Sequence, residues 1–356
     1  MSLSSQPSTI VSCPAPFGCG GLGRHLAELV AEVRSAGDPV RYYAPAVPAG
    51  DSDGETVAVG LLPWAFRFTP VRFSHGWKIF LGGWRFDYAV AGRLLRARTV
   101  TAFAGAAFCT FRRARRLGCG ELHLESPTAH VWHARRRYDE AYRRHPVEGD
   151  WLGPRLRART LAEYDLADVI WVNSEYARQT FLAEGVPADK LRRRALTVDP
   201  RFRPPPFRAE NLGPQVLYVG SLTVSKGVPI LVEAFARYSD PNARLTLVGG
   251  SGTRGMARWL LAALARDSRV RVAPGDPLSH LLTADVCIHP SYSDGFGYAP
   301  AEALACGVPV IVTEDTGMKE LVREGVNGFV VPTGNVDAIH DCIEHLIDHP
   351  LPPPAA

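Results

Sequence analysis

Short apolar runs separated by helix-length amphipathic stretches constrain this chain more than any other feature of its sequence. In the second half, Gln215–Gly220, Ala243–Gly249, Val270–Val272 and Val286–His289 read as strands. Val228–Tyr238 and Met256–Ala265 between them carry the periodicity of helices. Strands joined by helical crossovers build parallel sheets with helices on their faces. The first half alternates in the same way, with Thr9–Cys13 as a strand, a helix from near Leu22, and Pro39–Ala44 as the next strand. Ala106–Leu117 follows as a helix and Glu121–Glu125 as a further strand. The proline cluster Asp199-Pro-Arg-Phe-Arg-Pro-Pro-Pro-Phe207 interrupts the pattern, because proline ends helices and removes a ladder donor. The expected organisation is a Rossmann-like domain over 1–198, a linker over 199–213, a second such domain over 214–347 and a proline-rich tail over 348–356. Ligands of doubly wound sheets gather beyond the carboxyl ends of the strands, and the site is expected there.

The chain of 356 residues, 46% apolar and 21% charged, is long enough for two separate cores, which excludes disordered and collagen-like classes. No apolar stretch reaches the roughly 18 residues of a membrane span, and MSLSSQPSTIVSC lacks the basic and apolar regions of a signal peptide. A cytoplasmic location is the expectation. Seven cysteines without a C-x-x-C pair fit reduced thiols better than a disulfide framework or a zinc site. Residues 1–198 carry 27 Lys and Arg against 19 Asp and Glu, and the remainder 13 against 17. The basic half therefore suits an anionic partner such as a phosphate-bearing acceptor, anionic lipid or, with less support, nucleic acid.

Two motifs invite chemistry that their surroundings do not support. Pro16-Phe-Gly-Cys-Gly-Gly-Leu-Gly-Arg-His25 contains G-x-G-x-x-G at Gly18, Gly20 and Gly23, the spacing of a dinucleotide loop. Such a site needs an acid at the end of the second strand for the ribose, and Tyr43 stands there instead. Asp51-Ser-Asp53 has the form of a metal-binding D-x-D but lies among Gly, Asp and Ser, where a turn is the expectation.

The strongest signal is Ser293-Asp-Gly-Phe-Gly-Tyr-Ala-Pro-Ala-Glu-Ala-Leu-Ala-Cys-Gly-Val-Pro-Val-Ile311, a glycine turn, a helix from near Tyr298 and a buried strand. Asp294 and Glu302 flank seven residues, so loop amides and a helix start can hold an anion while two carboxylates accept from sugar hydroxyls. Taken alone, such a pair equally fits an exposed helix with a Glu. This segment resembles the retaining GT-B glycosyltransferases of family 4, and other segments of this chain follow that family's pattern too. They include Val219-Gly-Ser-Leu-Thr-Val-Ser-Lys-Gly227, Leu247-Val-Gly-Gly-Ser-Gly252, Glu320–Phe329, Glu163–Asp168 and Asn173-Ser-Glu175. The resemblance covers about residues 12–345 and is looser before 120.

The resemblance implies an α/β GT-B fold, two Rossmann-like doubly wound parallel-sheet domains facing a central cleft. It implies transfer of a sugar from a UDP- or GDP-linked donor, with retention, to a glycan, lipid-linked or small-molecule acceptor, without a metal or other cofactor. Glu302 would accept from the ribose hydroxyls and Asp294 from the donor sugar. Gly295, Phe296 and Gly297 would line sugar and diphosphate, and Lys226 would neutralise the departing diphosphate. Ser221 stands where many relatives carry Arg, and Arg254 either compensates or is a surface arginine. The backbone at Val272 would hold the base. Gly20 and Gly21 match the family's first-domain loop, where they would be donor-binding as a close-approach surface for donor diphosphate and acceptor, with Arg24 and His25 as acceptor-side candidates. His130, in Ser126-Pro-Thr-Ala-His-Val131, either bonds the donor sugar or acceptor, or is a capping or core histidine; Glu125 is a weaker candidate.

Between Pro63 and Arg85 seven aromatics mix with Arg67, Arg72, Lys78 and Arg85. They either meet an anionic bilayer surface or form a strand and helix packed on the core. Relatives commonly continue into a helix where this sequence reads Asp348-His-Pro-Leu-Pro-Pro-Pro-Ala-Ala356, which puts full activity in question. The rivals are a non-catalytic nucleotide-sugar or anionic-surface binder of the same fold, an NAD(P) oxidoreductase and a nucleic-acid binder. No aromatic-and-basic RNA motif supports the last.

Overall fold

The computed structural model describes residues 7–58, 74–207 and 211–351. The chain forms two compact units, Met1–Trp132 with Asp150–Asn173 and Arg178–Leu196, and His133–Gly149 with Ser174–Ala177 and Thr197–Ala356. Two segments that precede the proline cluster in sequence thus belong to the second unit. Interactions of the first of them include Arg144 Nη1 donating to the Gly334 carbonyl at 2.6 Å and His145 meeting Glu233 at 2.6 Å.

In the first unit the strands are β1 (Thr9–Ser12), β2 (Val40–Ala44), β3 (Gly54–Thr56), β4 (Thr99–Phe103), β5 (Glu121–Ser126), β6 (Val169–Val172) and β7 (Leu191–Arg193). They pair in the order β3-β2-β1-β4-β5-β6-β7, every neighbour parallel. The helices are α1 (Gly20–Ser35), α2 (His75–Arg93), α3 (Phe108–Leu117), α4 (Val131–Arg144), α5 (Pro154–Leu166) and α6 (Glu175–Ala183), of which α4 belongs to the second unit from His133 on and α6 begins in that unit and ends in the first. One core cluster sets Leu26, Leu29 and Val30 of α1 against Val11, Tyr42, Ala44 and Phe103 of the strands.

The start of α3 is held by two buried carboxylates. Asp87 accepts from the amides of Cys109 and Thr110 at 2.6 and 2.8 Å. Glu163 accepts from Gly105, Ala107 and Phe108 at 2.5, 2.9 and 3.1 Å. Arg159 lies between them, its Nη2 2.5 Å from Asp87 and its Nε 3.1 Å from Glu163, so the positive charge compensates both buried acids. Burial pushes the Glu163 carboxyl above its usual range, with Arg159 and the amides opposing. Asp51 and Asp53 close a turn, as expected. Arg34 donates to both, at 2.6 and 2.8 Å, and the Tyr42 hydroxyl donates to Asp51 at 2.7 Å.

Of the aromatic-basic segment, residues 63–73 lie outside the described residues. On α2, Trp77 is half-buried under the Arg155 guanidinium at 4.4 Å, whereas Trp84 and Tyr88 stack at the surface. Among the described residues no helix is long and apolar enough to cross a membrane.

The second unit has β8 (Gln215–Val219), β9 (Arg244–Val248), β10 (Val270–Ala273), β11 (Val286–His289), β12 (Val310–Thr313) and β13 (Gly328–Val331). Their order is β10-β9-β8-β11-β12-β13, again all parallel, which is the dinucleotide-fold order with its switch point between β8 and β11. Its remaining helices are α7 (Val228–Arg237), α8 (Arg254–Arg266), α9 (Leu278–Leu281), α10 (Tyr298–Ala305) and α11 (Val336–Asp348). Leu217, Val248, Cys287, Val310 and Val312 pack with Ala301, Ala303 and Met318, and Phe202 of the proline-rich segment closes this core. The tail expected over 348–356 begins inside α11, and residues 352–356 lie outside the described residues.

Candidate functional site

The strands flanking the switch point of the second unit deliver its chemistry. After β8 the chain turns through Gly220–Gly227 into α7, and after β11 it passes Pro290 to reach the turn before α10. Gly227 sits at φ +74°, and a Cβ there would lie 1.9 Å from the Pro290 carbonyl oxygen. Only glycine permits this close approach, which fixes the two post-strand loops against each other. Tyr292 N donates to the Ser225 carbonyl at 3.0 Å and joins the same two loops.

The result is a compact charged cluster. Lys226 Nζ lies 2.5 Å from Asp294 Oδ2, and His289 Nε2, at the end of β11, lies 3.0 Å from the same oxygen. Burial acts to raise the Asp294 carboxyl, but the charge of Lys226 and the hydrogen bond from His289 outweigh it and hold the group well below the usual carboxylate range. The main chain fixes the residue as well: Asp294 N donates to the Asp315 carbonyl at 3.0 Å and Gly317 N donates to the Asp294 carbonyl at 3.1 Å. Ser174 Oγ donates to the Gly295 carbonyl at 2.5 Å, and a Cβ on Gly317 would fall 2.2 Å from that oxygen.

Behind this loop a second buried carboxylate organises the polar interior. Asp315 meets His133 at 3.2 Å and Arg137 at 2.8 Å, and Tyr176 OH reaches both His133 at 3.1 Å and Ser293 Oγ at 3.3 Å. Burial raises the Asp315 carboxyl, yet its hydrogen bond with His133 and the Arg137 charge bring it below the ordinary range.

Of the sequence-predicted residues, the structure joins Lys226 and Asp294 directly and places Gly295, Phe296 and Gly297 in the loop that leads into α10. Gly297 takes φ +97°, a conformation costly to other residues. Glu302 lies inside α10, 2% exposed. Burial first, then the Glu302 charge, pushes the Cys287 thiol up to about 12. Ser221 is exposed, and its carbonyl accepts from Tyr218 OH at 2.8 Å. Val272 is exposed on the edge strand β10, and Arg254 is exposed at the start of α8.

The remaining predicted residues belong to the first unit. Gly20 and Gly21 are exposed at the start of α1, Gly20 with φ +61°, and Arg24 is half-buried in the next turn. His25, expected on the acceptor side, turns inward instead. It is 1% exposed, 3.3 Å from the buried Glu125 and edge-on to Phe103, because its position in α1 faces the strands. His130 has the attributes of a capping and core histidine. Its Nδ1 accepts from Trp132 N at 3.3 Å, and its ring packs on Tyr164 and Phe181 with centroids at 5.1 and 5.0 Å. Tyr43, standing where a dinucleotide site needs an acid, is buried with its hydroxyl on the Arg93 carbonyl at 3.1 Å.

Sequence reasoning missed His289 and Asp315. The terminal histidine of an otherwise apolar run, Val-Cys-Ile-His, was the available signal for the first; nothing in Thr-Glu-Asp-Thr-Gly singles out the second. Among the described residues one group has the spacing to hold a metal ion, His340, Asp341 and Glu344 on α11, and none of the three is a predicted site residue.

Residues 204–355 match the family model described as "Glycosyl transferases group 1". D-inositol 3-phosphate glycosyltransferase of Mycobacterium bovis is 32% identical over 222 residues, 56% of this chain and 45% of that protein. The chain thus spans about half the length of the curated relatives it matches. Sucrose-phosphate synthase from Thermosynechococcus elongatus superposes with a TM-score of 0.74 at 19% identity, over 97% of this chain and 90% of that one. Anabaena Alr3699/HepE, solved in complex with UDP-glucose, gives 0.67 at 19% identity over 96% and 90%. The chain has the GT-B fold of these glycosyltransferases, and its second unit carries the match to the glycosyl transferases group 1 family.

Proposed function

We propose that this chain is a retaining glycosyltransferase that moves a hexose from a UDP- or GDP-sugar to a glycan, lipid-linked or small-molecule acceptor without a metal ion. The observation that carries this reading is the Lys226–Asp294 pair at the switch point of the second sheet, framed by the glycine turns of the family-matching segment. A cation on the loop after β8 suits a diphosphate, and a carboxylate 2.5 Å away suits sugar hydroxyls once the cation turns to the phosphates. Relatives that bear glycosyltransferase names, and a neighbour solved with UDP-glucose, support it.

In this mechanism Lys226 gains most when negative charge builds on the leaving diphosphate, so its contribution falls on the transition state. Asp294 orients the donor sugar, Glu302 accepts from the ribose hydroxyls, Ser221 Oγ bonds a phosphate oxygen, and the backbone at Val272 receives the base. Gly295, Phe296 and Gly297 line sugar and diphosphate. Gly20 and Gly21 of the first unit approach the donor diphosphate, and Arg24 is the acceptor-side candidate. His25 lies beside Glu125 and Phe103, and His130 packs on Tyr164 and Phe181.

The test is incubation with labelled UDP- and GDP-sugars, followed by product analysis of anomeric configuration with and without chelator. Transfer or hydrolysis by the wild-type chain, lost in Lys226→Ala and Glu302→Ala, is the expected result. Binding without turnover would return the non-catalytic alternative, and variants as fast as the parent would sink the site assignment.

A further inference from the structure

The donor-site acid has two partners on one oxygen, and only one of them is spoken for. Lys226 Nζ and His289 Nε2 both address Asp294 Oδ2, at 2.5 and 3.0 Å. If Lys226 is to reach a diphosphate it must leave the carboxylate. Asp294 is 14% exposed and cannot be left without a donor at low cost. His289 cannot follow the lysine, because it is fixed at the end of β11 and is 5% exposed. An ionised carboxylate only accepts, so the proton must sit on Nε2. His289 Nδ1 is buried with no hydrogen-bond partner among the described residues. The loop leaves room for this contact, since a Cβ at Gly297 would stand 3.3 Å from His289 Nε2.

We propose that His289 is a positioning residue of the donor site, whose Nε2–H holds the Asp294 carboxylate in place when Lys226 leaves it for the donor's diphosphate. The proposal rests on the nucleotide-sugar reading above. It has an unusual signature. Without His289, binding of a bare nucleoside diphosphate strips Asp294 of its last donor, whereas a nucleotide-sugar brings hydroxyls that replace it. His289→Leu should therefore weaken the bare diphosphate more than the sugar-bearing one, by about tenfold against about threefold or less. A purely structural role would weaken both alike.

The experiment is calorimetric titration of the wild-type chain, His289→Leu, His289→Gln and His289→Leu/Asp294→Ala with UDP and GDP and with UDP-glucose and GDP-mannose, alongside thermal unfolding. Gln, which keeps an N–H donor, should recover most of the loss. Removing the carboxylate as well should restore affinity for the bare diphosphate. Nitrogen-15 NMR of the histidines should show the Nε2–H tautomer at position 289. Equal losses for both ligand types, no relief in the double variant, or an Nδ1–H tautomer would overturn the proposal. Should the wild-type chain bind none of the four probes, the nucleotide-sugar reading itself fails and takes this proposal with it. If His289→Leu does not fold, the Gln variant and the tautomer decide.

Discussion

Lys226 and Asp294 form an ion pair whose members are proposed to serve different parts of one ligand. Replacing Lys226 by Ala should lower kcat by about 10²–10³-fold, the size of effect expected when one preorganised donor to developing charge is removed. The KM for donor should change far less, because on the proposed reading the lysine's contact with the diphosphate strengthens most in the transition state; steady-state kinetics with the active nucleotide-sugar measures both. At the buried pair behind α3 the outcome concerns stability alone. Arg159→Met leaves the Asp87 and Glu163 carboxylates uncompensated and should cost about 3–5 kcal/mol in urea unfolding. An unchanged midpoint would mean that the backbone amides alone carry both charges.

At the scale of elements, the two turns after β8 and β11 are held together by glycine. Gly227→Ala forces a side chain into φ +74° and onto the Pro290 carbonyl. The dihedral alone costs about 1–3 kcal/mol, and the clash adds to it. Because the turn must shift to make room, thermal unfolding should fall and nucleotide binding should weaken together. A variant that loses stability but keeps affinity would show that the turn does not shape the site. Strands and helices were legible in the sequence because buried parallel strands and amphipathic crossovers leave distinct periodicities. Val286–His289 and the helix from Tyr298 appear at the expected residues. The direction of a strand's last side chain was not legible. His289 reads as the end of an apolar run until the loop after it folds back and brings Asp294 to its ring. His25 shows the converse, a polar residue in a glycine-rich loop motif whose helical phase carries it inward. The grouping of His133–Gly149 and Ser174–Ala177 with the second unit was equally hidden, because it depends on contacts such as His133 with Asp315 that have no local pattern.

For the whole molecule, acid stability should follow carboxylates like Asp315. Its folded pKa lies below the unfolded value, so its contribution is complete above about pH 4 and is lost as pH falls through the folded value. Asp315→Asn should thus lower stability at neutral pH and flatten the acid limb of the stability curve; an acid limb as steep as the parent's would refute this. Glu163 acts in the opposite sense, because its raised carboxyl relieves a cost when protonated. The thiols give a second global test. All seven cysteines are free, and burial pushes Cys13 and Cys287 up to about 12 and Cys109 and Cys342 up to about 11. Exposed Cys19 should therefore alkylate first at about pH 8, and Cys19→Ser should remove the fast phase in a mass-spectrometric time course. The Lys226–Asp294 pair has a kinetic consequence of its own. An empty site that carries its own counter-ion casts little long-range field, so a diphosphate arriving by diffusion is not drawn in by that lysine from a distance. Donor association through this site should then vary little with ionic strength, and discrimination among donors should reside in how long each stays bound.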